Sequence, residues 1–101
     1  MRLLKEIKCT PEAQRLIKSL PTIYLVGCWA RYGVMPFPFS GKYDKKTNEP
    51  LVYDYDDMNG ACDSYFLRPI SHTTTGWIIC WTFEKSKADL IANALNVYNP
   101  Y

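Results

Sequence analysis

Trp77, Ile79, Trp81 and Phe83 recur at every second position near the end of the chain, with Ile78, Cys80 and Thr82 between them. Period-two spacing predicts a β-strand with the four bulky residues on one face. Because the intervening residues are also mostly apolar, the pattern reads as a central strand rather than an edge one. A helix is predicted immediately afterwards. Ser86 reads as its N-cap and Asp89 as the fourth member of a capping box. Ala88, Ile91, Ala94, Leu95 and Tyr98 make one apolar stripe at three- and four-residue spacing, and Asn99-Pro100 ends it.

The same reading extends upstream. Residues 2–9 form a lead-in or short strand. Thr10-Pro11-Glu12 opens a helix, with a threonine cap, proline at the first helical position and an acid in the first turn. Ala13, Leu16, Ile17 and Leu20 are its apolar stripe, and Pro21 stops it. Thr22 to Tyr32 is apolar on both faces and rich in β-branched and aromatic residues, as a buried strand requires. Gly27 within it marks a bulge or a close contact with a helix. From Gly33 to Pro50 the pattern breaks down. Phe37 and Phe39 sit among prolines, which favours irregular extended backbone, and GKYDKKTNEP reads as an exposed turn. Leu51 to Tyr55 and Ser64 to Arg68 are short strands. They flank an acidic loop, Asp54 to Asp63, that contains the tight-turn dipeptide Asn59-Gly60.

These elements predict one compact α+β domain over residues 1–101: a small, mainly antiparallel sheet of 4–5 strands with two helices packed on one face. Connections after residue 51 are too short for helical crossovers, hence the antiparallel pairing.

Composition narrows the function. With 48% apolar and 15% aromatic residues the chain is a folded domain, not a disordered one. A net charge of +2 and a pI near 8.3 argue against a mimic of DNA and give little drive toward non-specific nucleic-acid binding. The start MRLLKEIKC is too short and charged for a signal peptide, and no run approaches a membrane span. The expected compartment is therefore the cytoplasm, with the four cysteines at 9, 28, 62 and 80 reduced. No CxxC spacing and a single histidine, His72, leave no zinc motif, so no metal or cofactor is expected. Aligning the calcium-loop glycine with Gly60 puts Tyr55 and Phe66 at the first and last ligand positions, which excludes an EF-hand. No nucleophile elbow, phosphate loop or dinucleotide fingerprint is present, and the chain is not expected to be an enzyme.

What remains is an aromatic and acidic middle. Tyrosine and arginine are favoured at interface hot spots. The expected partner-binding residues are Phe37, Phe39, Tyr43, Tyr53, Asp54, Asp56 and Asp57, with Arg31 and Arg68 as charged anchors. In this scheme the carboxylates steer a basic partner. The alternative is association with nucleic acid through tyrosines and the small basic knot of Lys42, Lys45 and Lys46. The ending GWIICWTF followed by EKSKADLIANALN is similar to those of small accessory proteins of bacteriophages and other mobile elements. This resemblance implies an inhibitor that binds a host protein, including components of CRISPR and other defence systems. No functional residue is carried over with it. Homodimerisation through a sheet edge or the Trp77 strand is left open by the sequence.

Overall fold

A computed structural model describes residues 6–58, 61–74 and 76–98, with the backbone alone described at 56–58 and 61–63. The chain is α+β. Its elements are β1 (Glu6–Lys8), α1 (Pro11–Lys18), β2 (Thr22–Cys28), β3 (Tyr32–Tyr43), β4 (Pro50–Met58), β5 (Ala61–Pro69), a 3-10 turn (Ile70–His72), β6 (Trp77–Thr82) and α2 (Lys85–Tyr98). Six strands, not 4–5, hydrogen-bond antiparallel in the order β1-β5-β4-β3-β2-β6. Contacts divide the chain into two compact units: Met1–Pro21 with Pro38–Thr73, and Thr22–Phe37 with Thr74–Tyr101.

In the first unit α1 begins as its sequence dictates. Thr10 is extended, and its hydroxyl accepts the Ala13 N–H at 3.1 Å, with proline following at the first helical position. Ala13 and Ile17 are buried, while Leu16 of the same apolar set is exposed. The additional strand is the C-terminal part of β3, where irregular backbone was expected. Proline fixes a φ that extended backbone already uses, so its cost is only the missing N–H. At Phe39 the N–H goes to the Pro21 carbonyl at 2.8 Å. Gly41 has a φ of 91° where the β3–β4 register slips between Phe39 and Tyr43. The hairpin then closes through Asp44, whose carboxylate accepts the Lys46 N–H at 2.8 Å and whose N–H reaches the Glu49 carbonyl.

The acidic segment is also not a loop. Asp54 to Met58 continue β4 and pair in register with Phe66 back to Ala61 of β5, with one bulge between Asp56 and Asp57. Cross-strand partners such as Tyr55 opposite Tyr65 outweigh the poor strand propensity of aspartate. Asn59 and Gly60, the expected turn, lie outside the described residues. β1 borders β5. Its Glu6 accepts a hydrogen bond from the fully buried Ser64 hydroxyl at 3.1 Å and pairs with Lys8 at 3.3 Å.

In the second unit β2 is the most buried strand, with Ile23, Leu25 and Val26 inaccessible. Val26 packs with Ala88 and Ala92 of α2, and Tyr24, Tyr32, Val34, Cys80 and Ile91 close around them. Helix α2 starts at Lys85, one residue before the expected Ser86 cap. Asp89 pairs with Lys85 at 2.7 Å instead of capping. Its buried side is Ala88 and Ala92 with Ile91, so Ala94 and Tyr98 of the expected stripe face solvent, as do Leu90 and Val97.

β6 corrects two expectations. It ends the strand order, so it is an edge strand. Its register with β2 slips at Ile79: Trp81 lies opposite Leu25 and Trp77 opposite Cys28. Leu25 and Cys28 point to opposite sides of β2, so the two tryptophans do not share a face. Trp77 is 78% exposed, Ile79 45% and Trp81 37%.

Gly27 sits at that slip, and the close neighbour is a ring, not a helix. A Cβ on Gly27 would stand 2.7 Å from Trp29. The Trp29 indole N–H donates to the Thr74 hydroxyl at 2.6 Å, which fixes the ring in a slot between glycines 27, 33 and 76. The turn that returns the chain to β3 holds Ala30 at a φ of 109°, a conformation that costs an alanine about 1–3 kcal/mol. Ala30→Gly is therefore expected to raise stability by about 1 kcal/mol despite the extra freedom of unfolded glycine, read as a higher urea midpoint with an unchanged slope.

Cys9 is disulfide-bonded, which corrects the expectation that all four thiols are reduced. Cys28 and Cys80 are thiols, and burial pushes the Cys80 thiol up from its ordinary value. Thiol titration of the denatured, unreduced chain is expected to find fewer groups than the four found after reduction. Four before reduction would remove the disulfide. Among the described residues no helix is long and apolar enough to cross a membrane.

Candidate functional site

Strand register gathers part of the expected site on one face of the first unit. Phe39, Val52 and Arg68 stand side by side on β3, β4 and β5. One step along the pleat, Asp54 stands opposite Phe66, and Phe66 opposite Glu6 of β1. One step the other way, Tyr43 stands opposite Pro50. Side chains two apart on a strand share a face. Phe39, Tyr43, Asp54, Phe66 and Arg68 therefore belong to one face of the sheet, which also carries the fully buried Val52 and Pro50 between them.

The contacts within this surface are aromatic and cationic. The rings of Phe39 and Tyr43 meet edge to face at 5.4 Å, and Tyr43 is half exposed. The exposed guanidinium of Arg68 lies 5.3 Å from the centre of the Phe66 ring. Such a pair on a surface contributes about 0.5–1 kcal/mol, and it also holds the long arginine side chain in one place. Asp54 is half-buried, and its carboxylate accepts the Tyr55 N–H at 3.0 Å. Aromatic residues and arginine are the types enriched at contacts between proteins, whereas aspartate is depleted there.

The other expected residues fall elsewhere. Tyr53 is on the opposite face of β4, opposite Leu67, and burial pushes its phenol up from the ordinary value. That face also carries Tyr55 and Tyr65, 6.3 Å apart, and Ile7 next to Tyr65. Phe37 is 6% exposed and is core in the second unit. Arg31 is exposed in the Ala30 turn of that unit. Asp56 and Asp57 align with Ser64 and Cys62, but their side chains lie outside those described. Lys42, Lys45 and Lys46 are exposed around the β3–β4 turn.

Phe66 was missed. Its signal was the period-two spacing to Arg68, which puts a flat ring under a cation whenever both lie on a strand. Among the described residues no three histidine, cysteine, aspartate or glutamate side chains form a group able to hold a metal ion. No protein family, curated protein or solved structure matches the chain.

Proposed function

We propose that this protein is a non-enzymatic interaction module that docks on another protein through the Phe39, Tyr43, Asp54, Phe66 and Arg68 face. The observation that carries the reading is the strand register, which brings Phe39 and Arg68, 29 positions apart, into one row across the face. Tyr43 and Arg68 are its outermost groups and serve as anchors. Phe39 and Phe66 supply apolar area, and Asp54 with its acidic neighbours orients a basic partner surface. A mobile-element protein that blocks a host target is the specific form of this function, following the resemblance of the C-terminal segment.

The test is capture from a nuclease-treated bacterial lysate with tagged protein, compared with Arg68→Glu. One dominant partner, retained by the parent and lost by Arg68→Glu at unchanged melting temperature, is the expected result. Truncating an anchoring residue typically costs about 2 kcal/mol or more, roughly thirtyfold in binding, and reversing its charge more. Loss of all bound material on nuclease treatment would replace the reading with nucleic-acid association, which also weakens steeply with salt.

A further inference from the structure

The two outermost strands are built in opposite ways. β1 carries Glu6 and Lys8, ion-paired to each other, and the Glu6 carboxylate is further engaged by Ser64. Charge along an edge discourages another strand from pairing there. β6 carries none of this. From Gly76 to Phe83 the chain has no charged residue and no proline, and Trp77, Ile79 and Trp81 are exposed along the strand. Its only blunting feature is the slip at Ile79, and beyond it Cys80 to Thr82 run in regular register with Tyr24 to Val26. Among the described residues nothing pairs with its outer side.

We propose that two copies of this chain associate by antiparallel pairing of their β6 edges across a two-fold axis. A second copy fits this edge for three reasons. An uncharged strand meets no like charge when it pairs with itself, whereas a charged partner strand would find nothing to neutralise it. A two-fold axis perpendicular to the sheet keeps each strand's faces in line, so Ile79 and Trp81 of one copy join those of the other in one apolar band. Interfaces between identical chains are also the ones poorest in charge. Because β1 is protected, pairing uses one edge per copy and closes at two.

The available area sets the strength. At roughly 150–250 Å² for a whole aromatic side chain, the exposed parts of Trp77, Ile79 and Trp81 amount to roughly 350 Å² per copy at most. A standard interface buries about 800 Å² per partner. The dimer is therefore a weak one, with a dissociation constant on the order of tens of micromolar.

Sedimentation of the whole protein from about 1 to about 500 µM covers that range. A reversible monomer–dimer equilibrium is expected, and Ile79→Lys should weaken it roughly a hundredfold, since symmetry introduces the charge twice. Circular dichroism and melting of the variant should match the parent. Should Ile79→Lys fail to fold, Trp77→Arg at the most exposed of these positions makes the same measurement. A monomer at every concentration overturns the proposal. So does a species larger than a dimer, a dimer indifferent to both substitutions, or one that dissociates instead on Leu90→Lys, which lies on the outer side of α2.

Discussion

Replacing Gly76 with alanine is expected to cost about 3 kcal/mol of stability. Its backbone does not need glycine: among the described glycines only Gly41 has a positive φ. In open space the substitution would stabilise by about 0.4–1 kcal/mol through the unfolded chain. The space is not open. A Cβ on Gly76 falls far inside van der Waals contact with the pyrrole side of the Trp29 indole. That ring has nowhere to go, because Thr74 holds its N–H and Gly27 stands 2.7 Å from its far edge when given a Cβ. The steric term therefore wins over the entropic one. Urea unfolding of Gly76→Ala should show a lower midpoint with an unchanged slope. In a Trp29→Ala background the same substitution should lose its cost and become neutral or slightly favourable, because the clash is with that one ring. An equal cost in both backgrounds would show that the slot is not what Gly76 serves.

The second large effect is expected at Asn96. Its side-chain amide acts as a substitute strand for the start of β3. The carbonyl accepts the Tyr32 N–H at 2.9 Å, and the amide N–H donates to the Tyr32 carbonyl at 2.9 Å. Asn96→Ala leaves a partly buried donor and acceptor without either bond, at an expected cost of about 2 kcal/mol. Asn96→Asp keeps the acceptor but turns the donor into a carboxylate facing a carbonyl. The neutral form of the introduced carboxyl is then favoured in the folded state, so its folded pKa rises above the ordinary value near 3.9. The protonated group can still donate. Stability of Asn96→Asp relative to the parent should therefore be best below about pH 4 and fall as pH rises through the folded pKa. Parallel unfolding curves at pH 3.5 and pH 7 test this, and a difference from the parent that does not change with pH would refute it (the two pH values bracket the carboxyl, at about half a unit below and three above).

Elements with a local chemical cause were legible in the sequence. Thr10-Pro11-Glu12 marks where α1 starts because cap and proline act within one turn. β2, β6 and α2 were visible from apolar period. What depended on distant residues was not. β3 was hidden because Pro36 and Pro38 argue against a strand until Pro21 is known to receive the Phe39 N–H. The acidic strand was hidden because Asp54 and Tyr55 owe their conformation to Phe66 and Tyr65. β6 read as central because apolar residues on both faces normally mean burial on both; here exposed tryptophan produces the same pattern. In the candidate site the residue types were readable, but not their grouping. Tyr53 and Asp54 are neighbours in sequence and lie on opposite faces, whereas Phe39 and Arg68 are far apart and lie in one row.

The chain enters each unit twice, 1–21 and 38–73 for one, 22–37 and 74–101 for the other. A ribosome therefore delivers neither unit in one piece. Tyr32 leaves the exit tunnel 64 residues before the asparagine that receives it. At about 5–20 residues per second that interval is roughly 3–13 s, long compared with the microseconds in which a hairpin forms. During it, the most buried of the described strands, Thr22–Cys28, has been made but its partners β6 and α2 have not. The newborn chain thus has its longest exposure to chaperones and proteases built into the order of its segments, and synonymous changes that slow translation after Thr74 are expected to lower yield more than those near the start.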